Sequence, residues 1–229
     1  MLNIERLENY FSNYLISHPC DLLAYLSGFI PIIACAIHFK ATLNTSKILI
    51  YYALLILILE TMGGIYAANS MNNHLIYLIF YFLETLFLYI FFKNSIKSQS
   101  IQKIILSIIS IMLIGILYNI LKSDTQLNDT SLTLQSLGII IITIINFYYL
   151  LFESKIKTLS KSTFFWINTG SIIYFSGCFF VFLFLTKILD GTDTRISYIY
   201  DIVSVLLFVF RIFLAIGISQ TKYILAKNL

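Results

Sequence analysis

Four ionisable side chains, Glu60, Glu84, Asp201 and Arg211, each lie inside an apolar run about one bilayer long. A charge at that depth costs at least ~2.5 kcal/mol unless it is partnered or neutralised. Glu84 sits near the middle of residues 72–93, NNHLIYLIFYFLETLFLYIFFK, and the triplet Leu-Glu-Thr recurs one segment earlier at Leu59-Glu60-Thr61. Intramembrane acids of this kind can bind a small polar ligand, or take up and release protons.

Spacing groups these residues by face. In the last apolar run, Ser197, Asp201, Ser204, Phe208, Arg211 and Ala215 follow one another at steps of four and three. At ~100° per residue they form one narrow stripe on a helix. Asp201 and Arg211 are ~15 Å apart along that helix, too far to pair with each other. The run around Glu84 has a matching stripe of His74, Tyr77, Tyr81 and Glu84, with Thr85 beside it and Leu88 closing it. Counted from the outer end, Glu84 is ~15 Å deep, Arg211 ~20 Å and Glu60 ~12 Å. This arithmetic predicts an inner pair, Glu84 with Arg211, beneath an outer acidic zone of Glu60 and Asp201. Two carboxylates in one low-dielectric zone cannot both ionise cheaply, so one of that pair is expected to hold a proton.

Blander readings stand beside this one. Arg211 is about two turns from the cytoplasmic end and could snorkel to the headgroups. Asp201 could sit at the interface with Tyr198 and Tyr200, and Glu60 and Glu84 could be hydrogen-bonded packing elements. The candidate ligand- or proton-binding set is Glu60, Glu84, Asp201, Arg211, Tyr81, Asn168 and Tyr174.

The elements that must position these residues are membrane helices. The chain is 59% hydrophobic and 11% charged, with a mean hydropathy of +0.89, whereas soluble domains carry roughly 25% charged residues. Seven apolar runs, each near the ~20 residues a span needs, occupy 21–39, 47–67, 73–92, 101–121, 135–153, 163–187 and 196–219. The predicted fold class is all-α: a polytopic membrane protein of seven transmembrane helices (21–221), preceded by an amphipathic segment (1–20) and followed by a short tail (222–229). Ile4, Leu7, Phe11, Tyr14 and Leu15 recur at helical spacing in the first segment, which is expected to lie in the membrane interface. Pro31 is expected to kink the first span.

Ten lysines, at 40, 47, 93, 97, 103, 155, 157, 161, 222 and 227, fall on one side of the bundle; the other side has Arg6, Lys122, Lys187 and Arg195 beside four aspartates. Loop lysine and arginine mark the cytoplasmic side. The N-terminus is therefore expected outside and the C-terminus in the cytoplasm, in a cytoplasmic (inner) membrane.

The sixth run gathers Asn168, Gly170, Ser171, Tyr174, Gly177 and Cys178. Small residues let helices approach closely in lipid, so the Gly170/Gly177 face is either a tight contact within the bundle or a surface for a membrane protein partner. Trp166 reads as an aromatic interface anchor, and Asn119 and Asn146 as interior hydrogen-bonding residues.

Other classes find no support in the residues. The lysines lie in short loops, so the formal charge of +4 does not point to nucleic acid, and no phosphate-binding or dinucleotide motif has a place to sit. Cys20, Cys35 and Cys178 share no metal-ligand spacing, and His18, His38 and His74 form no ligand set. With no nucleophile–base or metal pattern, an enzyme is the least favoured reading, and neither a metal nor a cofactor is expected. Two readings remain: a bundle that binds, transports or senses a small ligand or protons, and a non-catalytic subunit or scaffold of a larger membrane complex. Its expected partners are the lipid bilayer, a small-molecule ligand and a protein on the Gly170/Gly177 face.

Pro31-Ile-Ile with His38-Phe-Lys, the Tyr-Phe-Leu-Glu84 of the third run, and Phe165-Trp166-Ile-Asn-Thr-Gly170 with Tyr174-Phe-Ser-Gly177 resemble the pattern of small uncharacterised bacterial seven-helix membrane proteins. That resemblance covers most of the chain and implies topology alone. Microbial rhodopsins need a lysine in the middle of span seven, PQ-loop carriers a Pro-Gln pair, and ceramidase-type membrane hydrolases three intramembrane histidines. None of these features is present.

Overall fold

A computed structural model describes residues 4–38, 44–122, 129–153, 158–189 and 196–220, with backbone alone at 44–47, 122, 129, 153, 185–189 and 196–200. Seven helices are long and apolar enough to cross a membrane: Pro19–His38, Ile48–Ala68, His74–Ser95, Gln99–Leu121, Thr130–Phe152, Thr163–Phe184 and Asp201–Ser219. They are called spans one to seven below. The largest change from the expected boundaries is in span five, whose helix begins at Asp129 and so takes Ser131 and Gln135 inside the bundle. No strand occurs among the described residues. The protein is an all-helical polytopic membrane protein.

Each span packs on the next in the chain, and span seven returns to pack on span one. The seven helices thus form a closed ring, inside which span three also touches span five. Span ends alternate, so one end of the bundle has the N-terminal helix and the other has Ser219; these are called the N-terminal and C-terminal ends. Ile111, Ile114 and Leu121 remain exposed along span four, as residues facing acyl chains would be. Polar pairs fasten neighbouring helices: Asn119 donates to Ser131 near the N-terminal end, and Asn146 to Ser95 (2.6 Å) near the other. In hydrocarbon such groups have no water to fall back on.

Span one is two helices, Pro19–Ser27 and Phe29–His38, separated at Gly28. The cause is Pro31. It has no N–H for the Ser27 carbonyl four residues earlier, and its ring crowds that carbonyl. The turn tightens, and the Gly28 N–H bonds the Tyr25 carbonyl at 3.1 Å. The Ala24 carbonyl, which Gly28 would take in a regular α-helix, is left free for another donor.

The N-terminal segment differs from expectation. It docks on the bundle, and Tyr10 and Leu15 are its buried residues, while Ile4, Leu7 and Phe11 stay exposed. Residues Asn9–Tyr14 form a π-helical turn, in which the Leu15 N–H bonds the Tyr10 carbonyl. That wider turn shifts the register, so Tyr10 joins Leu15 and Tyr14 of the expected stripe on the bundle, while its Ile4, Leu7 and Phe11 face away. Asn9 Nδ2 donates to the Ala68 carbonyl (2.9 Å) and Asn69 Nδ2 to the Arg6 carbonyl (3.3 Å).

The Gly170/Gly177 face is taken by the protein's own seventh span. A Cβ on Gly170 would lie 2.6 Å from Phe213 Cβ, and one on Gly177 would collide with the Leu206 side chain. These glycines exist to bring spans six and seven together; the surface expected for a partner is already covered.

Candidate functional site in the bundle interior

Two polar centres lie within the ring. The first is built on Arg211, which is 3% exposed although it is within about two turns of the C-terminal end of its span. It does not snorkel. Its Nη2 donates to Glu60 Oε2 in an ion pair. Its Nη1 donates to the Ala24 carbonyl released at the break in span one, and to Ser27 Oγ at 3.2 Å. Ser27 Oγ in turn donates to the same carbonyl at 2.6 Å. Pro31 therefore creates the acceptor, Gly28 lets Leu57 of span two pack closely beside it, and Arg211 joins spans one, two and seven. A planar fork with several fixed donors suits such a task, which a lysine could not perform.

The second centre is built on Glu84, 2% exposed. Tyr52 Oη of span two donates to Glu84 Oε1 at 3.1 Å, and Gln135 Nε2 of span five reaches Oε2 at 3.3 Å. The same amide nitrogen lies 3.0 Å from Thr85 Oγ1 and 3.1 Å from the Tyr81 carbonyl. Among the described residues no cation bonds this carboxyl group. Both donors are neutral, and the carboxyl could itself donate if protonated. Tyr174 of span six lies within electrostatic reach of Glu84 and stacks on Phe210 of span seven, 5.3 Å between centroids.

The expected Glu84–Arg211 pair is thus corrected: Arg211 takes Glu60, and Glu84 is held by uncharged groups. The physical reason is angular. Depth along a helix favoured Glu84, but span one supplies the freed carbonyl beside Arg211 and draws the guanidinium toward spans one and two. The expected outer zone of Glu60 with Asp201 is not assembled either. Asp201 instead faces Cys20 of span one, next to Asp21, which accepts from Ser204 Oγ (2.7 Å) and Tyr14 Oη (3.1 Å).

Of the other candidates, Tyr81 serves through its carbonyl, and Asn168 stands apart. Its amide oxygen and nitrogen, like Ser171 Oγ one turn further on, are buried without a hydrogen-bond partner among the described residues. Two residues that sequence reasoning missed complete the Glu84 centre. Gln135 had a legible signal, since it is a lone amide at the edge of an apolar run. Tyr52 had none in a chain with sixteen tyrosines.

A gap of about 10 Å³ between spans two, three, six and seven, lined by Tyr52, Phe87, Leu88, Phe91, Ile167 and Leu214 among others, is apolar and touches none of the four charged residues. Among the described residues no three His, Cys, Asp or Glu side chains are placed to hold a metal ion. No protein-family model matches the chain, and no curated protein and no solved structure matches it either.

Proposed function

We propose that this membrane protein handles protons at Glu84, and that the Glu60–Arg211 centre ties that step to the binding or transport of a small ligand. One observation carries the reading: a carboxyl group at mid-membrane depth, 2% exposed, held by a phenol and an amide and, among the described residues, bonded by no cation. Such a group can gain or lose a proton without breaking an ion pair, whereas Glu60 cannot. Intramembrane acids are rare unless they serve this kind of role. A span broken at Pro31, whose loosened carbonyl faces the interior, supports the same reading, because irregular backbone at membrane depth is tolerated where it serves an interior site. The lysine distribution supports placing the N-terminal end outside and the C-terminal end in the cytoplasm of a bacterial cell. The reading as a scaffold subunit loses its surface, since span seven covers Gly170 and Gly177.

The test is infrared difference spectroscopy of the protein in liposomes, stepped through pH in H₂O and D₂O. A carboxyl band that responds to pH and disappears in Glu84→Gln is the expected result. Spectra that are the same in wild type and variant would end the proposal. Native mass spectrometry from the source membrane would then name the ligand class.

A further inference from the structure

The N-terminal helix ends at His18, which leaves helical geometry (φ −122°, ψ 81°) before span one begins at Pro19. Its most buried aromatic is Tyr10, 3% exposed. The ring fits a notch on span two where the chain has Gly63-Gly64: a Cβ on Gly64 would lie 2.6 Å from the Tyr10 hydroxyl oxygen and from its ring. Gly64 is one turn above Glu60 on the same helix. Burial, followed by the nearby Glu60 and then Tyr25, Tyr77 and Asp21, pushes the Tyr10 hydroxyl well above the ordinary tyrosine range, so it remains a neutral donor facing the acids. Phe11, Tyr14 and Tyr25 surround the ring edge-on or stacked at 5.0–6.1 Å. Leu15, 2% exposed, adds an apolar contact in the cluster with Ile65 of span two, and the polar ties include Asn9 to Ala68, Asn69 to Arg6, Arg6 to Met71 Sδ, and Tyr14 to Asp21.

We infer that the N-terminal helix is a plug, hinged at His18 and keyed by Tyr10 in the Gly64 notch, that closes the N-terminal end of the bundle over the Glu60–Arg211 pair. The geometry explains three features together. Gly64 is required because any side chain would occupy the place of the ring. The π-helical turn is required because it rotates Tyr10, rather than Leu7 or Phe11, toward span two. The docking rests on one small apolar cluster and single hydrogen bonds, as suits an element drawn from the less stable parts of a structure. With the plug seated, the Glu60 side chain is 20% exposed; with the plug released, solvent or a ligand reaches it more fully from the N-terminal end.

The experiment labels carboxyl groups in the protein in liposomes, using a water-soluble carbodiimide and a hydrophilic amine, with hydrogen exchange measured in parallel. In Gly64→Ala the extra methyl group unseats Tyr10. Labelling of Glu60 and exchange across residues 4–18 should both rise about tenfold, while spans five and six keep wild-type protection. Tyr10→Ala, which removes the key without crowding the notch, should do the same, and Tyr10→Phe should do much less. The inference is overturned if Glu60 labels as readily in wild type as in the variants, or if both variants leave residues 4–18 protected. A Gly64→Ala protein that fails to fold leaves the decision to Tyr10→Ala. Labelling reads access alone, so its outcome is separate from whether Glu84 exchanges protons.

Discussion

The two polar centres solve the same problem in opposite ways. At Glu60–Arg211 a charge is neutralised by a charge, and the guanidinium is further tied to a backbone carbonyl and a serine hydroxyl. At Glu84 a carboxyl is surrounded by neutral donors, with no countercharge bonded to it among the described residues. The first arrangement is rigid in composition, since removing either partner strands the other. The second tolerates a change of protonation state. An architecture can therefore place a structural lock and a titratable group on neighbouring helices and keep them distinct by choice of donor.

The largest effect expected from this contrast is at the lock. Arg211→Ala leaves Glu60 uncompensated and should destabilise the protein by about 3–5 kcal/mol, read as lost membrane accumulation and earlier thermal unfolding in detergent. The double variant Glu60→Leu/Arg211→Leu should recover much of that loss. A double variant as unstable as the single would show that pairing is not what Arg211 provides.

At the second centre, Glu84→Leu strands the buried Tyr52 hydroxyl and takes one of three acceptors from Gln135 Nε2, and should cost about 1–3 kcal/mol, whereas Glu84→Gln, which keeps an acceptor oxygen, should cost less. If Glu84→Gln unfolded the protein as Arg211→Ala does, the distinction between the centres would collapse. Tyr52→Phe removes one of the two donors and should cost about 1 kcal/mol by the same measurement.

The smallest expected effect is at the source of the freed carbonyl. Pro31→Ala restores an N–H for Ser27, lets the Gly28 N–H return to Ala24, and sets it in competition with Arg211. Stability should change by less than about 1 kcal/mol, because a helix bond is gained as an arginine bond is weakened. Amide exchange at Gly28 should slow. Unchanged exchange there would mean that Pro31 is not what breaks the helix.

The topology was legible because an apolar run near twenty residues is a one-dimensional signal, and all seven runs are helices of spanning length in the structure. The pairing was not. Helical spacing put Arg211, which is buried, on an interior stripe, but depth arithmetic placed Glu84 within its reach and Glu60 nearer the level of Asp201. Nothing in the chain states how each helix is rotated about its axis, or that Pro31 frees a carbonyl at the level of Arg211. The N-terminal helix shows the same limit from another side. Its stripe was read with a period of 3.6, and one π-helical turn was enough to add Tyr10 to the buried face beside Leu15.

The closure of span seven on span one has a consequence for biosynthesis. Arg211 emerges from the ribosome after every group that satisfies it: Ala24, Ser27 and Glu60 belong to the first two spans. Until the final span arrives, the nascent chain keeps an unmatched acid among lipids. Arg211 itself must leave the translocon bearing a charge that costs about 2.5–3.5 kcal/mol at mid-membrane. Spans one and two thus present a waiting acceptor for the last helix, and the ring closes only when the two ends of the synthesis meet.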